Sequence, residues 1–462
     1  VGGTQCRRKG GQGGVLGAPS AEFHRTLTNP RRREEPTLRR QVYMYSRRHW
    51  KKSDGERTSA MALIENTVGE LPYQLTDFDQ HSYEAEDCFT RFMPKAKLDT
   101  AVRPIVAPSG RKVLLANDQI VTALENDLNQ AYVPGSLIEM LKHRAAGDAA
   151  DTDRFYEPLQ IEYLDRDARL AQLTEQQIER AIMYPGGWTL MAEQYLRGID
   201  PLYDNIEAFN KWINEDWGFN FKNRIYAPAL MSMRDLDRAC EELDRVLDAG
   251  ARFIVLPAGP AYGRSPGDPY FDPFWARVNE AKAVVCYHIA EFYYQDNIAS
   301  DWGWGLVPPF QFSAWQWQNT YGERPITDTI SALIFDNIFG RYPNIKVLVS
   351  EFGAEWVPHF IRHMDKSRGM ARNGRWLGGQ LTERPSAIFK KHVRVVPYPE
   401  DDTMAMIEKL GTDETLLMGS DWPHAEGLRE PADFYNKVEG LDDVKKRNFL
   451  RENGIKLTEG TN

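Results

Sequence analysis

Beyond residue 61 the chain alternates short apolar runs with amphipathic stretches. The runs are Leu75–Tyr83, Arg180–Tyr184, Arg224–Met231, Ala251–Pro257, Ala283–Ile289, Lys346–Glu351, Val393–Pro397 and Thr415–Ser420. Several are continuously apolar, as parallel strands covered on both faces are. The intervals carry helical periodicity. Met233–Asp248 predicts a helix capped by Ser232, with Leu236, Ala239, Leu243 and Leu247 on one face and a stop near Gly250. Phe271–Ala281, Thr327–Phe339, Asp402–Leu410 and Leu441–Glu452 read the same way. Strands alternating with helical crossovers predict an α/β fold, a (β/α)8 TIM barrel.

Two intervals exceed an ordinary strand-to-helix loop. Residues 85–178, after the first strand, are charged and read as a long helical insertion that includes Glu125–Leu141 and Asp167–Glu179. Residues 291–327, after the fifth strand, are dense in aromatics, Trp302, Trp304 and Trp315 among them. Insertions at such places build lids and pocket walls. The three tryptophans, with Glu84, are therefore candidate pocket residues; plain packing or a subunit interface is the other reading of the aromatics.

Four of the apolar runs end in residues that can bind a metal ion, and that favours a barrel over a doubly wound sheet, because barrel chemistry is assembled from the ends of several strands. In Asp77-Phe-Asp79-Gln-His81, strand parity puts all three polar side chains on one face, towards the barrel mouth. Asp79 and His81 read as ligands and Asp77 as a brace, while Glu84 is placed to reach the ion or to fix a ligand. His288 ends Ala283-Val-Val-Cys-Tyr, Glu351 follows Lys346-Val-Leu-Val-Ser, and Asp421 and His424 close Gly419-Ser-Asp-Trp-Pro-His. Taken singly, each has an ordinary explanation: a hydrogen-bonded core histidine, or a carboxylate paired with Arg or Lys. Taken together they point to a divalent cation. Asp421 then touches the ion and takes a proton from bound water, and His424 either donates a proton to substrate or braces its loop.

Composition narrows the field. With 42% hydrophobic and 27% charged residues the chain is ordinary globular material, long enough for one large domain with insertions. Residues 1–60 hold 14 Lys and Arg against 5 Asp and Glu; the rest of the chain holds 43 against 61. The acidic body excludes nucleic acid as the expected partner. The basic leader, 1–60, lacks an apolar secretory core and reads as a disordered extension, with Met61 a natural start for the domain at 61–462. Cys6, Cys88, Cys240 and Cys286 show no pairing pattern, and no apolar run reaches membrane-spanning length. A cytoplasmic protein with no disulfide framework and no membrane association is expected.

The order Asp-x-His on strand one, His on strand five, an acid on strand six and Gly-Ser-Asp-x-Pro-His on strand eight resembles the amidohydrolase superfamily. It is most like the branch that contains aminocarboxymuconate-semialdehyde decarboxylase. Leu333-Ile-Phe-Asp-Asn-Ile-Phe-Gly-Arg-Tyr-Pro-Asn-Ile-Lys-Val and Asn448-Phe-Leu-Arg-Glu-Asn-Gly-Ile extend the likeness, which covers Leu75 to Leu457 apart from the insertions. The resemblance implies one ion on Asp79, His81, His288 and Asp421, with Glu351 completing that shell or holding a second ion. This chain departs from the family in three places. Asp79 replaces the usual histidine of a His-x-His pair, Glu351 stands where a histidine is common, and Phe253–Pro260 offers no lysine to bridge two metals. More carboxylate means harder ligation, so Mn2+ or Fe2+ competes with Zn2+.

The family implies a hydrolase acting on the carbonyl of a small-molecule amide, ester, lactone or thioester, with Asp421 as base and then acid. The alternative is a non-oxidative decarboxylase of an aromatic or unsaturated carboxylic acid. The aromatic insertion suits a ring or a large acyl group, including an adenine-bearing acyl carrier with Arg264 or Arg324 as local cations. A catalytically silent metal-binding scaffold is the third reading. A homodimer is the family-based expectation.

Overall fold

Strand pairing builds a ring. In this computed structural model, which describes residues 69–460 apart from 109, 118, 122–127, 147–152, 191, 197, 291–292, 306 and 308–310, Leu75–His81 pairs in parallel with Ile178–Tyr184, and that strand with Ile225–Tyr226. Ala229–Leu230 pairs with Phe253–Val255, followed in parallel by Val284–His288, Lys346–Ser350 and Val393–Val395. Residues 415–422 close the ring. Val395 N donates to Thr415 O at 2.9 Å and Leu417 N to Val395 O at 3.0 Å on one side; Phe78 N donates to Met418 O at 2.9 Å and His81 N to Trp422 O at 2.9 Å on the other. The expected TIM barrel is the fold, and its strands are buried along nearly their whole length.

The third strand departs from its expectation. Pro228 has no N–H to give a ladder, so Arg224–Met231 is two short pieces, each paired to a different neighbour. Asn210, from the helix Ile199–Asp216, covers the break: its amide accepts from Leu230 N and donates to Leu230 O, both at 2.8 Å.

The crossover helices follow the periodicity with shifted ends. The helix expected at Met233–Asp248 is Leu236–Asp248, and its cap is Asp235, which accepts from Arg238 N at 3.0 Å, rather than Ser232. Ser232 is buried and turns its hydroxyl to Arg234 N instead. The others are Asp272–Glu280, Glu323–Phe335, Thr403–Leu410 and a C-terminal series from Asp443 to Glu459.

The first insertion is less helical than its charge suggested. Arg103–Val106, Lys112–Ala116 and Gln119–Ile120 form an antiparallel sheet, and Gln130–Tyr132 pairs with Tyr156–Pro158. The helix expected over Glu125–Leu141 is Leu137–Ala145, because Pro134-Gly135 breaks the chain before it; residues 122–127 lie outside the described set. Arg166–Glu175 is helical as expected. The leader, residues 1–60, and Cys6 also lie outside the described residues; Cys88, Cys240 and Cys286 are buried free thiols. Among the described residues no helix is long and apolar enough to cross a membrane.

Candidate metal centre

The strand ends deliver their polar residues to one point. Asp79 and His81 close the first strand, His288 is the last residue of the fifth, and Glu351 lies one position past the sixth. Glu351 and Asp421 both adopt left-handed backbone, with φ of +60° and +55°. That region is disfavoured for residues with a Cβ, and its use here turns both carboxylates inward from the ends of extended segments. Gly419 allows the closing segment to come near enough: a Cβ there would stand 2.7 Å from Asp79 Cβ and collide with Val396.

His81 Nε2 and His288 Nε2 are 3.1 Å apart. His288 Nε2 lies 2.9 Å from Glu351 Oε2 and 3.4 Å from Asp79 Oδ1. His81 Nε2 lies 3.3 Å from Asp421 Oδ1, 3.6 Å from Asp79 Oδ1 and 4.0 Å from Glu351 Oε2. Both rings have their tautomer set from behind. His81 Nδ1 donates to Pro185 O and His288 Nδ1 to Ile289 O, each at 3.2 Å, which leaves both Nε2 lone pairs facing the cluster.

The electrostatics are those of a cation site. The buried oxygens Asp79 Oδ1 and Asp421 Oδ1 receive no hydrogen bond of ordinary geometry among the described residues. Burial disfavours charge on His288 and on Glu351. On His288 the carboxylates of Glu351 and Asp79 outweigh burial and push the imidazole well above its ordinary value; Glu351 is itself pushed up by burial and by Asp421. Without a cation, a proton has to hold these nitrogens and carboxylates together. A divalent ion supplies that charge and takes the lone pairs, so the donor set of two imidazoles and up to three carboxylates fits one. Two overlapping groups of ligand atoms are close enough to hold an ion: Asp79, His81, His288 and Glu351, and His81, Glu351, Asp421 and His424.

His424 packs its ring 3.9 Å from that of His81 and places Nδ1 2.9 Å from Asp421 Oδ1. Burial works against its charge, but Asp421 raises the imidazole to about 9. In return, His424 and His81 overcome the burial of Asp421 and hold its carboxyl below the usual range. His424 also lines a cavity of about 170 Å³ with Glu84, Phe89, Tyr132 and Glu426.

Around the cluster the structure corrects one expectation. Asp77 does not share the face of Asp79 and His81, because the first strand's register is irregular between Asp77 and Gln80. Its carboxylate instead accepts from Ser420 Oγ at 2.6 Å, Ser420 N at 2.9 Å and Gln80 Nε2 at 2.9 Å, pinning the closing segment to the first strand. Trp302, Trp304 and Trp315 form their own cluster, with rings 5.2 Å and 6.3 Å apart, and line neither that cavity nor the one over strands three to five; Trp302 is 68% exposed. Glu84 turns from the cluster to accept from Gly186 N and Thr189 Oγ1, while still lining the cavity wall.

Two nearby groups were not foreseen from sequence. Arg169, fully buried, donates to Glu162 O and His81 O, each at 2.8 Å, and packs over the Trp422 ring. Glu426 keeps an exposed face at the rim of the cavity, and partial desolvation with the nearby Asp421 pushes its carboxyl up. One signal for Glu426 was its place two residues after His424.

Residues 190–457, more than half of the chain, match the family model described as amidohydrolase. The chain belongs to the amidohydrolase family. Among solved structures, an amidohydrolase from Mycobacterium avium subsp. paratuberculosis is 31% identical, with a TM-score of 0.72 over 84% of this chain and 98% of that one. Two more distant structures share this amidohydrolase's fold. A 2,6-dihydroxybenzoate decarboxylase from Rhizobium matches at 15% identity and a TM-score of 0.54, over 84% of this chain and 99% of its own. A 5-carboxyvanillate decarboxylase from Novosphingobium aromaticivorans, complexed with manganese and 4-hydroxy-3-methoxy-5-nitrobenzoic acid, matches at 14% and 0.52, over 84% and 96%. No curated protein matches the chain.

Proposed function

We propose that this amidohydrolase hydrolyses a carbonyl compound, an amide, ester, lactone or thioester, with a divalent cation held by Asp79, His81, His288 and Asp421 and with Glu351 beside it. When bound, such a cation brings the pKa of a water ligand towards neutrality and polarises a carbonyl oxygen. The chain's own contribution is proton handling. Asp421 is the base: its Oδ1 lies at the cluster, and His424 at 2.9 Å keeps it ionised. It accepts the proton of the attacking water and returns it to the leaving group. His424, charged at neutral pH, holds Asp421 in place and presents its ring to the cavity with Glu84 and Glu426. The observation that carries this reading is Asp421 Oδ1 lying 3.3 Å from His81 Nε2 and 2.9 Å from His424 Nδ1, a carboxylate held at the cluster where it can take a proton.

Decarboxylation is the second reading, supported by the fold shared with two decarboxylases. There Asp421 would have to arrive protonated to deliver a proton to carbon, against the pull of His424. The manganese in one of those structures also supports a hard first-row cation such as Mn2+ or Fe2+ beside Zn2+. Product analysis on a panel of esters, lactones, amides and hydroxybenzoic acids separates the two. Acid release without CO2 is expected; stoichiometric CO2 from an aromatic acid, with no hydrolysis, would replace the first reading by the second.

A further inference from the structure

A second cavity, of about 230 Å³, is lined mainly by residues that follow strands three to five. It borders a much smaller pocket lined by His288, and the two share Leu190, Glu193, Leu256, Pro257 and Ala290.

Its polar lining is unfinished. Among the described residues, neither carboxylate oxygen of Glu193 receives a hydrogen bond of ordinary geometry, and the same holds for Gln194 Oε1 and Tyr287 Oη. All three residues line this cavity. The Gln194 amide is oriented: its Nε2 donates to Asp296 Oδ1 at 2.7 Å, so its carbonyl oxygen is the end left over. Tyr262 and Ser232 stand near enough to steady the charge on Glu193, and burial pushes its carboxyl up, as expected for an acid short of partners. Arg234 lies on the same wall, donates to Leu196 O at 3.2 Å and stacks on Tyr262 at 4.6 Å, and its charge also favours the Glu193 carboxylate. Buried polar atoms without partners are costly and are rare in folded proteins. A carboxylate, an unmet amide oxygen and an unmet hydroxyl around one space suit a ligand that donates hydrogen bonds and carries positive charge.

The geometry points to a subsite for an organic ammonium group, held by Glu193, Gln194 and Tyr287, which positions an amino-bearing substrate with its carbonyl towards His288. The substrate part of this inference rests on the proposed hydrolysis; the binding part does not. The leucine, proline and alanine walls accept the carbon body behind the ammonium group.

The test is calorimetric titration of the full chain with three probes of nearly equal shape: benzylamine, benzyl alcohol and benzoate. Benzylamine is expected to bind at least about tenfold more tightly than the other two. Glu193→Gln removes a buried charge and leaves the fold intact, checked by melting temperature, and is expected to cancel that preference; Gln194→Leu is expected to weaken it several-fold. Equal binding of the alcohol or of benzoate, or undiminished amine binding by Glu193→Gln, would overturn the subsite. Hydrolysis is assayed separately. Amine preference in a protein that hydrolyses nothing would sustain the subsite and count against the proposed reaction; hydrolysis of carbonyl compounds with no amine preference would do the reverse.

Discussion

His81 Nε2 and His288 Nε2 face each other at 3.1 Å, each ring tied from behind by its Nδ1 to a backbone carbonyl. Two lone pairs aimed at one point repel unless a cation lies between them. Protein stripped by a chelator is therefore expected to melt lower than protein given Mn2+ or Zn2+. At about 100 times the dissociation constant the ion should add about 2.7 kcal/mol. His288→Ala is expected to erase that gain, which scanning calorimetry with and without metal would read.

Asp421 is the residue on which the chemistry turns. Asp421→Asn keeps the shape but removes the base, so turnover is expected to fall by at least about 100-fold, with metal still bound or only weakened. Steady-state kinetics and metal analysis of the same preparation check both halves. Full activity in this variant would remove Asp421 from its role.

Arg169 holds the end of the first strand from beneath, with its guanidinium on Glu162 O and His81 O. Arg169→Ala leaves buried carbonyls without donors and is expected to cost about 3 kcal/mol. Arg169→Lys is expected to rescue little, since one ammonium cannot reproduce the planar fork. Urea denaturation of the metal-loaded protein measures both.

Remote from the centre, His392 is 2% exposed, bonded through Nδ1 to Ile345 O at 2.9 Å and packed on Phe339. Burial, with Lys346, Lys391 and Arg394 nearby, lowers its imidazole to about 4. The unfolded chain takes up this proton below pH 6.5, whereas the folded one resists until about 4. The sign is thus a loss of stability as pH falls through that window, flat above it, with a slope of at most about 1.4 kcal/mol per pH unit. His392→Gln keeps a donor to Ile345 O and is expected to flatten the slope in pH-dependent unfolding.

How much of this was legible in the sequence depends on the residue. Asp79, His81, His288, Glu351 and Asp421 could be read because each ends an apolar run; singly each has an ordinary explanation, but their shared place on the strands does not. The ring of strands followed from the same runs, with Pro228 alone enough to split one of them. Asp77 braces as expected, but its face was misread because strand parity assumes a regular register, and the strand is irregular just after it. The three tryptophans could be read as a cluster but not for what they cover, because composition tells only that rings gather. Glu193 and Tyr287 left no signal: one sits in a short helical turn and the other inside an apolar strand, and only the folded chain shows their atoms without partners.

The central claim is that a cation sits between the two histidines. Crystals of manganese-loaded protein, measured at the manganese edge, test it directly. The expected result is an anomalous peak about 2.0–2.3 Å from His81 Nε2, from His288 Nε2 and from at least one oxygen of Asp79, Glu351 or Asp421, distances usual for first-row metal ligands. Active protein with no peak at that point would contradict it.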